Sequence, residues 1–155
     1  MCFVYTRKIY FAKYIFANLV VQLGVFMARL RVKIYTDTTG YVEAELFDDL
    51  SPNTFKRVVE ALPIEGVGYR WGDEVYFSTN VKVGEENAKE VVEKGTIAYW
   101  PPGKAICIFW GPTPASRTKN EIRPASPVNI IGKVMGDPTV FSRFKSGSIV
   151  RIEKA

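Results

Sequence analysis

The sequence predicts a mainly β fold, a closed β-barrel with two short helices. Several short segments alternate apolar with polar residues, which is typical of strands that bury one face. Turn-forming residues separate these segments, and two short stretches have helical spacing instead. So many short strands favour a barrel over a parallel sheet. A chain of 155 residues with 47% apolar and 14% aromatic content can form one well-buried core.

A hairpin is predicted near the start of the domain. Residues 30–35, LRVKIY, alternate with a period of two, and residues 41–47, YVEAELF, do the same. The segment between them, TDTTG, has the composition of a turn. We therefore expect two antiparallel strands here.

The first helix is predicted to follow this hairpin. Ser51 has the side chain of an N-cap, and Pro52 stands at the first helical position, where its missing N–H costs nothing. Pro63 ends the helix because a proline cannot continue it. The apolar face of this helix consists of Phe55, Val58, Val59 and Leu62.

The rest of the domain is predicted to consist of strands with one more short helix. That helix begins at residues 137–139, DPT, where proline again takes the first helical position. The predicted strands are residues 74–77, 95–100, 104–110, 128–134 and 147–153.

Residues 1–26 form an apolar N-terminal extension. Three polar residues interrupt its apolar run, whereas about 20 clean apolar residues are needed to span a bilayer. Met27 stands directly before the first alternating strand, so the folded domain is expected to comprise residues 27–155. We interpret the extension as upstream sequence of the kind a misplaced translation start produces, rather than as a membrane anchor.

The net charge of +5 is weak support for a nucleic-acid partner. Three basic residues and no acidic ones lie in the extension, so the domain itself carries only +2. Its eighteen basic and sixteen acidic side chains are well mixed along the chain, which is typical of a solvated surface. We expect neither a nucleic-acid nor a membrane partner for the domain, and a cytoplasmic location.

The chain contains no histidine, which excludes Ser-His-Asp and Cys-His catalysis as well as imidazole metal sites. Of its two cysteines, Cys107 lies inside the apolar run AICIF and is interpreted as a buried structural thiol. We therefore expect no metal and no cofactor.

Two motifs resemble the cyclophilins. Residues 45–55, ELFDDLSPNTF, are similar to the cyclophilin strand-to-helix signature, and residues 131–136, IGKVMG, resemble the late cyclophilin strand and turn. The helix and the final strand follow in the same order, so the resemblance covers about residues 28–155. It implies a cyclophilin-like barrel.

The segment that carries activity in cyclophilin isomerases differs here. Residues 69–77 read YRWGDEVYF, in which Arg70 aligns with the catalytic arginine of the family. The glutamine of the isomerase motif is missing, and no histidine can complete the proline pocket. The chain thus resembles the divergent family of short prokaryotic cyclophilin-like proteins, for which no activity is established.

Three segments that combine aromatic residues with proline and glycine form the candidate site. They are residues 69–77, 99–104 and 109–114, and the resemblance implies that they flank one groove. Packing in the core is the alternative for each tryptophan. We predict no catalytic residue and no metal ligand, and the predicted ligand-binding residues are Arg70, Trp71, Glu74, Tyr76, Trp100, Phe109 and Trp110.

Two charged features near these segments have simpler interpretations. Asp73 and Glu74 are neighbours at the start of a predicted strand, where alternation sends adjacent side chains to opposite faces. One of them is expected to pair with Arg70. Residues 117–126 are polar and rich in turn formers, which predicts a loop. Its basic residues, Arg117, Lys119 and Arg123, could contact an anionic ligand, although a solvated loop is the simpler interpretation.

Three functions are compatible with these patterns. The first is a binding module that holds a small molecule or an extended peptide in an aromatic groove without catalysis. The second is a divergent peptidyl-prolyl isomerase, in which Arg70 would donate a hydrogen bond near the prolyl amide. The third is docking of a partner protein on the groove or on a strand edge, with an unknown oligomeric state.

Overall fold

The computed structural model describes residues 28–155, in which eight antiparallel strands form a closed barrel. Around the barrel the strand order is β1-β2-β7-β5-β6-β4-β3-β8, and β8 pairs with β1 to close it. The predicted fold class is confirmed. The strands are β1 (Arg29–Thr36), β2 (Gly40–Phe47), β3 (Ile64–Arg70), β4 (Glu74–Ser78), β5 (Thr96–Trp100), β6 (Ala105–Phe109), β7 (Asn129–Val134) and β8 (Ile149–Lys154).

Two short helices accompany the barrel, as predicted. The α-helix α1 (Pro52–Ala61) follows β2, and a 3-10 helix (Pro138–Arg143) lies between β7 and β8. The side chain of Asp137 caps the 3-10 helix by accepting a hydrogen bond from the backbone N–H of Thr139. A further 3-10 turn (Pro101–Gly103) connects β5 to β6.

The N-terminus of α1 is capped differently from the prediction. Ser51 occupies the N-cap position, but its hydroxyl donates to the backbone carbonyl of Glu86. The carboxylate of Glu86 instead accepts hydrogen bonds from the backbone N–H groups of Asn53 and Thr54, at 2.9 and 2.8 Å. The cap therefore comes from a loop residue more than thirty positions away, which local sequence patterns cannot reveal.

Strand β3 was not predicted from the sequence. Its segment IEGVGYR contains two glycines, which usually weaken a strand. In the structure, a Cβ on Gly68 would lie 2.8 Å from both Phe144 and Val150, and one on Gly66 would lie 2.9 Å from the carbonyl oxygen of Ser78. The glycines thus allow close approach of neighbouring chain segments, and β3 lacks the side-chain alternation that marks the other strands.

Apolar side chains form one cluster inside the barrel and a second one outside it. On β4, β5 and β6 alternate residues such as Phe77, Tyr99 and Ile106 fill the interior. Between β4 and β5, and between β6 and β7, long segments cross the outer face of these strands. They are joined to each other by single bridges, Lys89 to Val128 and Val92 to Ile122. The outer cluster consists of Val92, Ala98, Cys107, Phe109, Ile122 and Val128.

The interpretation of residues 1–26 as an extension lies outside the described residues, as does Met27. Among residues 28–155, no helix combines the length and the apolar character needed to cross a membrane.

Candidate functional site

A cavity of about 230 Å³ opens on the outer face of the barrel, where the long segment between β6 and β7 crosses β4, β5 and β6. Its position follows from strand alternation, because the residues of β4 and β6 that point away from the core face this segment. Four of the seven predicted ligand-binding residues line it. The lining residues are Trp71, Glu74, Tyr76, Trp100, Cys107, Pro124, Ala125 and Val128.

Trp71 lies at the turn between β3 and β4, which packs tightly on the segment after β6. Gly72 has a φ of +66°, and a Cβ there would lie 2.8 Å from Pro114. A Cβ on Gly111 would lie 2.5 Å from the carboxylate of Asp73. Both glycines therefore permit the contact between the turn and the loop, and this contact positions Trp71 at the cavity.

Trp100 is held in place at the end of β5. Its indole N–H donates a hydrogen bond to the hydroxyl of Ser126, at 2.6 Å between nitrogen and oxygen. Gly103 packs so closely against the indole that a Cβ there would lie 2.7 Å from two ring carbons. The Pro101–Gly103 turn thus has a specific task, because it brings a residue without a side chain against Trp100.

Glu74 is the buried charged residue of the cavity. It is 5% exposed, and none of the ion pairs between described residues includes it. Burial raises the pKa of Glu74 from its usual value to about 7, and a hydrogen bond with the Cys107 thiol opposes this rise. The carboxyl group is therefore divided between its neutral and charged forms at neutral pH.

Cys107 lies on β6 beside Glu74 and directly opposite Tyr76 in the strand register. Burial raises the pKa of the Cys107 thiol well above its usual value, and the neighbouring Glu74 carboxylate raises it further. The thiol thus stays protonated and is a poor nucleophile. This agrees with the prediction of a buried structural cysteine.

Arg70 does not reach the cavity. Its guanidinium donates to the backbone carbonyls of Gly72 and Ser142, pairs with Asp73 at 3.3 Å, and lies 5.0 Å from the ring centre of Trp110. The predicted ion pair with one of the two neighbouring acids is confirmed, and Asp73 is the partner. Arg70 joins the end of β3 to the 3-10 helix that precedes β8.

Trp110 and Phe109 also lie away from the cavity lining. Trp110 belongs to the interior cluster and stacks on Phe141 of the 3-10 helix, with ring centres 6.2 Å apart. Phe109 is fully buried in the outer cluster. The packing alternative therefore applies to these two aromatic residues, and the cavity lining includes neither of them nor Arg70.

Four lining residues were missed by the sequence interpretation. Cys107 could have been placed there from the pairing of β4 with β6, because it lies opposite Tyr76. No signal in the sequence indicates Pro124, Ala125 or Val128, since their position depends on the course of a long segment without regular structure.

The predicted loop at residues 117–126 is confirmed, and it contributes the outer rim of the cavity. Arg123 pairs with Glu121 at 2.9 Å and with Glu90 at 3.6 Å, so its charge is already balanced. Within residues 28–155, no group of three or more potential metal-ligating side chains comes together.

Comparison with known proteins agrees with this architecture. The solution structure of a hypothetical protein from Archaeoglobus fulgidus is similar to this chain at 43% identity and a TM-score of 0.70, covering 85% of this chain and 99% of the other. No curated protein matches the chain. The family model described as cyclophilin-like matches residues 29–153, and the chain therefore belongs to the cyclophilin-like family.

Proposed function

We propose that this protein binds a small molecule, or one side chain of an extended peptide, in the cavity on the outer face of the barrel, without transforming it chemically. The observation that supports this proposal most is the convergence of Trp71, Tyr76 and Trp100 around the buried carboxyl group of Glu74. Mostly apolar cavities with a few polar groups are the usual form of ligand sites.

The fixed position of Trp100 supports binding further. Its hydrogen bond to Ser126 and its contact with Gly103 hold the ring in one orientation before any ligand arrives. A pre-organised site loses less conformational entropy on binding, which improves affinity for a given set of contacts.

The size of the cavity favours a small occupant. Its volume of about 230 Å³ is below the range of roughly 300–1,000 Å³ that is typical of sites for drug-sized ligands. A whole folded segment does not fit, whereas a compact head group or one peptide side chain does.

The contacts of Arg70 do not support the isomerase hypothesis. That hypothesis needs an arginine whose N–H groups can reach a prolyl amide. The guanidinium of Arg70 is instead engaged by the carbonyls of Gly72 and Ser142 and by Asp73, away from the cavity. We therefore do not propose isomerase activity as a second function.

A ligand-observed NMR screen of small fragments and short peptides against the full chain tests the proposal. Fragments whose NMR signals change in the presence of the wild-type protein are expected to show no such change with the Trp71→Ala or Trp100→Ala variant. Tyr41→Ala is the matched control, because Tyr41 is an exposed aromatic residue on β2 that does not line the cavity.

Thermal unfolding of each variant separates loss of the site from loss of the fold. The proposal is wrong if fragments bind equally well to the folded Trp71→Ala and Trp100→Ala variants. It is also wrong if no fragment or peptide in the library binds to the wild-type protein.

A further inference from the structure

We propose that the ligand of this cavity is an organic cation, whose alkylammonium head group lies among Trp71, Tyr76 and Trp100 and against the carboxylate of Glu74. This inference rests on the proposed function and specifies the chemistry of the ligand. It follows from the charge of the cavity, from the chemistry of its lining and from its size.

The cavity contains one carboxyl group, and no lysine or arginine among the lining residues acts as its counterion. Glu74 is the only acidic or basic residue among the lining residues, and it is 5% exposed. A buried carboxylate without a paired cation is costly, since desolvation opposes its charged form. A bound cation supplies the missing partner, whereas an anionic ligand would add repulsion.

Two arginines on segments that border the cavity are already paired with acidic residues. Arg123, on the segment that forms the rim, pairs with Glu121 and Glu90, and Arg70 pairs with Asp73. Neither arginine lines the cavity. Neither arginine therefore supplies a counterion to the charged form of Glu74, and a cationic ligand would supply one.

The aromatic lining suits a cation as well. Aromatic rings attract cations through the negative charge of their faces, and tryptophan does so most strongly. Two tryptophans and one tyrosine line this cavity together with the carboxyl group. Aromatic residues around quaternary ammonium groups are a recurrent form of recognition, in which alkyl groups on nitrogen exclude water and fill apolar space.

The ionisation of Glu74 gives the proposal a pH dependence. The other titratable groups of the lining are Tyr76, on the same strand, and Cys107, whose pKa burial holds well above its usual value. The adjacent Asp73 is paired with Arg70. Because the pKa of Glu74 is about 7, its charged fraction increases about tenfold between pH 6 and pH 8, and the affinity for a cation is expected to increase equally.

A matched pair of probes tests the charge requirement directly. Choline and 3,3-dimethylbutan-1-ol have nearly the same shape, but only choline is charged. NMR titration of the full chain is expected to give a dissociation constant for choline about tenfold lower than that for the alcohol at pH 8. Glu74→Gln is expected to remove most of this difference by weakening choline binding.

Glu60→Gln is the matched control variant. Glu60 is an exposed residue of α1 that does not line the cavity, so its replacement removes the same charge from the surface. Choline binding to this variant is expected to equal that of the wild type. Equal losses in both variants would overturn the inference, since they would reflect only long-range attraction.

The source of the head group is distinguished by a second titration, with a short peptide that contains trimethyllysine. The control is the same peptide with alanine in place of trimethyllysine. If the trimethyllysine peptide binds more tightly than both this control and choline, the head group belongs to a peptide side chain. If choline binds more tightly than the peptide, the ligand is a free small molecule. Both results support a cationic ligand.

The two proposals fail differently. If the alcohol binds as tightly as choline and Trp100→Ala weakens both, the cation inference is wrong but the binding site stands. If neither choline nor the peptide binds, the cation inference is wrong, and the fragment screen alone decides the proposed function.

Discussion

Two places in this barrel combine a charged residue with tryptophan, and they differ in whether the charge has partners. At the end of β3, Arg70 lies over Trp110 and is bound by two backbone carbonyls and by Asp73. In the outer cavity, Glu74 lies near Trp71 and Trp100 with only a thiol as hydrogen-bond partner. Paired charges hold a fold together, whereas a buried carboxyl group that lacks a charged partner marks a place where something else can bind.

The largest expected effect is a loss of stability when the tryptophan beside Arg70 is replaced. Trp110→Ala should lower the free energy of unfolding by about 3–5 kcal/mol, because the ring is buried in the core and stacks on Phe141. Urea denaturation measures this change. Trp71→Ala, at a half-buried ring, should cost clearly less. Similar losses in the two variants would remove the distinction between a core and a cavity tryptophan.

The next effect concerns the stability cost of ionising Glu74. Its pKa is raised from 4.5 to about 7 in the fold, so between these values the folded chain holds a proton that the unfolded chain has released. Stability should therefore fall by about 3 kcal/mol as the pH rises from 4.5 to 7, and then level off. Glu74→Gln should remove this fall.

Denaturation of the wild type and of Glu74→Gln over this pH range measures the difference. The stability advantage of the variant should increase with pH and level off above pH 7. Glu60→Gln, an exposed substitution, should follow the wild type. A constant difference between wild type and Glu74→Gln would show that the carboxyl group is not desolvated.

Replacing Arg70 is expected to lower stability by a smaller amount and to leave ligand binding unchanged. Arg70→Gln should lower the free energy of unfolding by about 2 kcal/mol, because the carbonyls of Gly72 and Ser142 lose a charged donor. Ligand affinity should be unchanged, as Arg70 does not line the cavity. A large loss of ligand affinity in a folded Arg70→Gln variant would contradict this separation of Arg70 from the cavity. It would show that Arg70 contributes to ligand binding.

The smallest effect tests the pre-organisation of Trp100. Ser126→Ala removes the acceptor of its indole N–H and should cost about 1 kcal/mol of stability. Affinity for a cavity ligand should fall a few-fold, since the ring loses one of its two restraints. Ser142→Ala, at an exposed serine of the 3-10 helix that does not line the cavity, should leave affinity unchanged. Equal affinities in both variants would show that the hydrogen bond is not needed to orient the ring.

The strands with alternating side chains were predictable because burial of one face leaves a period of two in the sequence. Strand β3 was not, because Gly66 and Gly68 replace side chains where neighbouring segments come close. The cap by Glu86 was also beyond prediction, since it depends on a loop that returns to α1. Local patterns reveal local structure, whereas these two features are set by tertiary contacts.

The site was predictable in part for the same reason. Trp71, Glu74 and Tyr76 follow from their position on and next to one strand, and Trp100 from the turn that follows it. Phe109 and Trp110 are neighbours at the end of β6 and belong to clusters on different sides of the barrel wall. Their adjacency in the chain therefore indicated that they could not share one groove.

The positions of the three tryptophans also make ligand binding detectable by their fluorescence. Two of them line the cavity, and the third is buried in the core. Light emitted by Trp110 should therefore be insensitive to occupancy, while that of Trp71 and Trp100 should change with it. Replacing Trp110 by phenylalanine leaves a chain whose remaining tryptophan fluorescence comes from the two cavity residues, so that ligands can be found without labels.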